Sequence, residues 1–171
     1  MNNSTSTVFN KKVKSWIAYD VGNSAFATTV VAGFFPVFYN QYWASGIDVD
    51  DATVYKTLAL AICNSIVLLT APCIVAMTAI NNATKKSLVF FTAICALFVG
   101  LLFILPLGSW LYALLFFCIA NYCFAVGQIP YDKILTKIAP QNKLSQISNQ
   151  GYAWGYLGGG TLFLINALMF L

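Results

Sequence analysis

Asp20 is the carboxylate whose position most limits what it can be doing. Trp16 opens an apolar run that continues to about Tyr42, and Asp20 lies one helical turn inside it, roughly 6 Å along a helix axis. A carboxylate at that depth in a membrane is costly unless it faces a bundle interior or a wet cavity. Asn23, Ser24 and Ala27 continue the same small, polar face at helical spacing. A face of this kind can carry a solute or a coupling ion, so Asp20, Asn23 and Ser24 are candidates for a transport pathway. A structural reading stands beside this one. An acid near a span end can reach interfacial water, cap a helix or pair with a lysine from a loop.

Further along, Asn121 and Gln128 are seven apart in an apolar stretch, hence on one helix face. Both are pathway candidates, with Asn121 open to a cavity role. Asn64 and Ser65 fall near the middle of another apolar stretch, where an amide more often bonds to a neighbouring helix for about 1 kcal/mol. Gly151, Gly155 and Gly159 are four apart, and Gly158 and Gly160 extend the bare surface. This pattern predicts close helix packing, with flexibility for alternating access as a second reading. Tyr152, one helical turn before Tyr156, is a candidate for lining a cavity. Pro36 and Pro72 are expected to kink their helices. Cys63, Cys73, Cys95, Cys118 and Cys123 form no C-x-x-C pair and have no ligand-rich neighbourhood, so they read as small apolar residues. No disulfide, metal or cofactor is expected.

The elements that position these residues follow from composition. Of 171 residues 60% are hydrophobic and 8% are charged, against about 25% charged in soluble domains. The cations are all lysine and the anions all aspartate; Arg, Glu and His are absent. His-based metal sites, His general bases, Arg phosphate clamps and Arg-built nucleic-acid readers are therefore excluded, and no nucleic-acid partner is expected. The composition predicts an all-α integral membrane helical bundle in a lipid bilayer. A polar tail over residues 1–15 precedes a transmembrane domain over 16–171, with spans at about 16–42, 54–80, 87–107, 110–129 and 150–171. Asp51 is the expected N-cap of the second helix, and a polar connector runs from Pro130 to Asn149. The first run is broken by Asp20, Gly22 and Asn23, which makes it a poor signal-peptide core and favours a retained helix.

Orientation follows from the lysines. Lys11, Lys12, Lys14, Lys85, Lys86, Lys133, Lys137 and Lys143 fall on one side of five alternating spans; Asp48, Asp50, Asp51 and Lys56 fall on the other. The positive-inside rule then puts the N-terminus in the cytoplasm. Trp16, Tyr42, Trp43, Tyr55 and Trp110 fall near span ends, as interfacial aromatics do. The final apolar stretch, Leu162 to Leu171, has no exit loop after it, which reads as a truncation inside a larger membrane architecture, with a natural five-span protein as the alternative.

Several segments together resemble one family. Tyr19-Asp20-Val21-Gly22-Asn23-Ser24-Ala25-Phe26-Ala27-Thr28-Thr29 with Phe34-Phe35-Pro36 is similar to the first helix of the vacuole effluxer-like transporters, a branch of the major facilitator superfamily. Ala71-Pro72, Ile138-Ala139-Pro140 and Gly151-Tyr152-Ala153 with Gly155-Tyr156-Leu157-Gly158-Gly159-Gly160 resemble it too. The resemblance runs from about Lys14 to Leu171. It implies about twelve helices in two halves, of which this chain supplies the first five, a partial N-terminal half. It also implies transport of small solutes, with amino acids moved by the eukaryotic branch, and it suggests the bacterial cytoplasmic membrane. Two segments depart from the family. Thr78 to Lys86 keeps Lys85 and Lys86 but lacks the Asp that latches the halves, and the connector has Thr136 and Lys137 where the family has Pro and an acid.

Three functions are weighed on these residues. The first is a secondary transporter, which would need a second chain or a homo-oligomer to supply the missing half. The second is a non-transporting membrane remnant or an interaction subunit that uses the glycine face. The third is an intramembrane aspartyl protease using Asp20 and Asp132, disfavoured because Asp132 follows Pro130 in the connector and no Gly-x-Gly-Asp occurs.

Overall fold

The computed structural model describes residues 11–80 and 83–170; the first ten residues of the expected tail, Asn81, Asn82 and Leu171 lie outside them. Every regular element among the described residues is helical. Five helices are long and apolar enough to cross a membrane: α1 Lys11–Trp43, α2 Val49–Ile80, α3 Thr84–Leu102, α4 Trp110–Ile138 and α5 Leu144–Phe170. The protein is an all-α integral membrane protein.

The helix ends differ from the expected span limits, for local reasons. α1 already includes Lys11, Lys12 and Lys14, because a lysine-rich helical turn can extend beyond the apolar layer. The cap of α2 is Asp48, which corrects the expectation of Asp51. The Asp48 carboxylate accepts the Asp50 backbone N–H at 2.9 Å and its carbonyl accepts Ala52 N–H at 2.9 Å, while Asp50 and Asp51 sit in the first turn, where the helix dipole favours acids. Pro130 sits inside α4, so the first part of the expected connector is helix. The chain leaves this helix only at Pro140, which is extended, before the short turn Gln141–Lys143 leads into α5.

α1 is not uniform. It is α-helical over Lys11–Ala25, π-helical over Phe26–Phe34, α-helical over Phe35–Phe38 and π-helical again over Tyr39–Trp43. Pro36 lies in the short α-helical piece between the widened stretches. Pro72 lies within α2.

The chain divides into two compact units. One holds the described residues up to Val37 together with those from Ile134 onward; the other is Phe38–Lys133. In the second unit α2 and α4 run in the same direction and are tied along their length. Tyr55 stacks on Trp110 at 5.2 Å. Cys63 Sγ donates to the Cys118 carbonyl at 3.3 Å, and Cys118 Sγ donates to the Ala59 carbonyl at 3.6 Å. Tyr122 donates to Thr70 Oγ1 at 3.0 Å, and Lys133 Nζ donates to the buried Thr78 Oγ1 at 3.4 Å. α3 runs antiparallel to α4, with Phe98 edge-on to Phe116 and Phe91 against Gly127. Gly46 and Gly108, both at positive φ, turn the two loops at one end, and Gly108 N–H reaches the Tyr42 carbonyl at 3.3 Å.

Interhelical hydrogen bonds of this kind are worth about 0.6 kcal/mol on average inside membranes. A Tyr122→Phe variant is therefore expected to unfold in detergent only slightly earlier than the parent. A stability loss above about 2 kcal/mol would show that the Tyr122–Thr70 bond is a larger part of the fold than its chemistry suggests.

Candidate functional site

The first unit is organised by a seam between α1 and α5, which run in the same direction. The contacts advance together along both helices. Trp16 covers Gly151, Asp20 and Ser24 meet Gly155, Val21 meets Gly158, Ser24 and Thr28 meet Gly159, and Gly33 meets Phe163. The glycine spacing explains the close approach, since a side chain at these positions has nowhere to go. A methyl group added at Gly155 would sit 2.6 Å from Ser24 Oγ and 2.8 Å from Asp20 Oδ2. One added at Gly159 would sit 3.0 Å from both the Ser24 carbonyl oxygen and Thr28 Oγ1. One added at Gly151 would lie 2.5 Å from the Trp16 ring, and at Gly158 it would overlap Val21. Gly160 lies off the seam, with nothing within 4 Å of its Cβ position.

Asp20 is only 4% exposed. Its carboxylate heads a ladder of oxygens at every fourth residue of α1: Asp20, Ser24 and Thr28. Thr28 Oγ1 donates to the Ser24 carbonyl at 2.9 Å. Glycine Cα–H groups packed on such oxygens contribute weak hydrogen bonds of about 0.5–1 kcal/mol each. Aromatic groups close the seam at both ends. Trp16, 5% exposed, lies over Gly151. At the other end Phe163 lies on Gly33, and Phe34 contacts Phe163 and Phe170 at 6.1 and 5.9 Å.

Asp20, Ser24, Gly151, Gly155, Gly158 and Gly159 are thus brought together. Asn23 is half-buried on α1 but is not among the oxygens that meet the glycines. Tyr152 is exposed, on a face of α5 turned away from the seam. Asn121 and Gln128, both half-buried, belong to the other unit. There Asn121 Nδ2 lies 3.8 Å from Cys63 Sγ, in the α2–α4 contact. The helix-contact role expected of Asn64 falls on Asn121 instead; Asn64 itself is exposed. Thr28, Val21, Gly33 and Phe163 were not singled out from the sequence. The four-residue step from Asp20 through Ser24 to Thr28 is a readable signal for Thr28, whereas nothing local marks Phe163 as the partner of Gly33.

Other chemistries find less support. Asp132 is exposed, unlike Asp20, and two acids sharing a proton need a common desolvated setting. Among the described residues, no group of three or more His, Cys, Asp or Glu side chains could hold a metal ion.

The fold and this seam define an integral membrane protein in which a carboxylate is buried between membrane-crossing helices. In sequence the chain is similar to an uncharacterized MFS-type transporter, YxiO, of Bacillus subtilis (strain 168), at 29% identity over 164 residues. The match covers 95% of this chain and 38% of the relative, so the chain spans under two fifths of the length of the curated relative it matches. No family model and no solved structure matches the chain.

Proposed function

We propose that the chain is the amino-terminal part of a major-facilitator-type secondary transporter of the vacuole effluxer-like branch, moving a small solute, with amino acids as the first class to test. The observation that carries this reading is the similarity to a transporter over 95% of this chain, joined to a carboxylate buried in a membrane-crossing helix. Asp20 and Ser24, with Asn23 beside them, are the pathway residues of this half. Asn121, Gln128 and Tyr152 are further positions from which a solute could be reached. Alternating access needs two halves that move about a midplane site. Five helices supply part of one of them, so the chain is read as one portion of a working transporter, and a second chain or a second copy is one source of the remaining helices. The lysine asymmetry supports a cytoplasmic N-terminus in a bacterial inner membrane.

The test is counterflow of labelled amino acids. Vesicles made from cells that express the chain are expected to show saturable, chain-dependent exchange, and liposomes holding only the purified monomer none. Saturable uptake by the monomer would overturn the need for further helices. No chain-dependent exchange of any amino acid in the cell-derived vesicles would overturn the amino-acid reading.

A further inference from the structure

We propose that the first turns of α1 and α5, with the last turn of α4, hold the phosphate headgroup of an anionic phospholipid of the cytoplasmic leaflet through Lys11, Lys12, Lys14, Lys137 and Lys143. The proposal needs the chain to lie in a bilayer and does not rest on the transporter reading above.

Charge is divided unevenly between the two units. The unit Phe38–Lys133 carries four lysines and four aspartates and is neutral. The other unit carries five lysines and one aspartate, so the whole net charge of +4 belongs to it. Its one acid, Asp20, is 4% exposed and lies in the α1–α5 seam. No acidic side chain of that unit therefore stands at the surface beside the lysines. Lys11, Lys12, Lys14 and Lys137 are exposed, and Lys143 is half-buried. Val13, Trp16 and Asp20 form the buried face of this part of α1, and Lys11 and Lys14 lie on the opposite face.

The seam brings these lysines to one end of the unit. Trp16 covers Gly151, which sets the register of α1 against α5. Along the axes, Lys11, Lys12 and Lys14 lie within about 8 Å before Trp16, and Lys143 lies about 12 Å before Gly151. Lys137 is in the last turn of α4, and the short turn Gln141–Lys143 leads from there into α5. Charge complementarity then selects the partner. Clusters of about four to eight basic residues at the cytoplasmic ends of membrane helices attract the anionic leaflet, and basic pockets between helices on that side hold lipid headgroups. Each lysine close to such a surface strengthens the attraction about fivefold. A lysine ammonium is a compact charge with three donors on a long apolar stem, so it meets phosphate oxygens at the interface while the stem stays on the helix. Lipid phosphates already lie at the depth of membrane-helix ends, so this partner surrounds the patch without being recruited.

The experiment uses the full chain in mixed micelles with equal amounts of phosphatidylglycerol and phosphatidylcholine, and native mass spectrometry counts each lipid bound. Wild type is expected to hold phosphatidylglycerol in about fivefold excess or more. The excess should fall as salt is raised from about 0.1 to about 1 M, because the screening length contracts from about 10 to about 3 Å. A triple variant with Lys11→Gln, Lys14→Gln and Lys143→Gln is expected to lose the excess, and arginine at the same three positions should keep it. The pair Lys85→Gln and Lys86→Gln, exposed in the neutral unit, should also keep it. No excess in wild type, or an excess unchanged in the monodisperse triple glutamine variant, would overturn the proposal. An equal loss in the Lys85 and Lys86 pair would overturn it too, because lysines would then attract lipid wherever they stand. Displacement of the lipid by millimolar glycerol 3-phosphate would assign the patch to a soluble phosphate, and displacement by RNA or an acidic polypeptide would assign it to a macromolecule; either result would overturn the lipid site.

Discussion

An Asp20→Asn variant is expected to insert into the membrane normally and to lose solute exchange by about 10- to 100-fold. The figure follows from the chemistry of the replaced group. Hydrogen bonds to a charged group are worth about 1.5–3 kcal/mol, and each 1.4 kcal/mol is about tenfold in an equilibrium. The amide keeps the shape of the carboxylate, removes its charge and exchanges one acceptor oxygen for an NH2 donor, so the size of the group against Gly155 is preserved while recognition of a cationic substrate group is lost. The measurement is the initial rate of counterflow, normalised to the amount of chain in the membrane. An unchanged rate would make Asp20 a structural acid. An Asp20→Leu variant separates the alternatives further, because its loss would combine charge and packing and should also lower the unfolding temperature.

A Gly159→Leu variant is expected to be the most damaging glycine substitution in the seam, destabilising it by about 1–3 kcal/mol or more, the usual range for overpacking. The reason is which atoms are close. At Gly151 and Gly158 the new carbon meets the Trp16 and Val21 side chains, which can shift. At Gly159 it meets the Ser24 carbonyl oxygen and carbon, at 3.0 and 3.1 Å, and the backbone of α1 cannot move aside without carrying the helix with it. Gly160→Leu is the control. Both substitutions gain similar helix propensity, up to about 1 kcal/mol, but Gly160 faces open space. Thermal unfolding followed by size-exclusion should rank Gly159→Leu well below wild type and Gly160→Leu at or above it. Equal behaviour of the two would show that the α1–α5 contact does not hold the helices together in the membrane.

How far these residues could be read in advance differs from one to the next. The five glycines of α5 announced a close-packed face by spacing alone, but spacing could not remove Gly160 from it. Whether a glycine meets a neighbour depends on the direction from which the second helix arrives. Asp20 and Ser24 were legible because a carboxylate and a hydroxyl inside an apolar run are unusual and the helical period places them on one face. Thr28 carried the same periodic signal, while the neighbouring Asn23, a stronger polar residue, drew attention from it. The cap of α2 was misplaced by three residues because Asp48, Asp50 and Asp51 are all good capping residues, and only the observed bond to Asp50 N–H selects Asp48. Trp16 reads from the sequence as an aromatic near a span end, and its burial over Gly151 adds a packing role that spacing does not reveal.

By itself, the sequence determined the class of molecule. With 8% charge, no Arg, Glu or His, and apolar runs of membrane-spanning length, a membrane-embedded set of helices is the remaining way to satisfy the backbone and hide the apolar surface. It also determined which residues carried unusual chemistry, because an acid in an apolar run is a local fact. The tertiary structure decided which of them meet. The partnership of Asp20 and Ser24 with Gly155, of Thr28 with Gly159 and of Gly33 with Phe163 joins residues more than a hundred positions apart. It depends on the rotation and depth at which α5 lies against α1. Helical periodicity fixes a residue's face on its own helix and leaves free which face of another helix it will meet. That second choice is made by close packing, and in this seam it turns a row of glycines and a buried acid into a single ladder of oxygens.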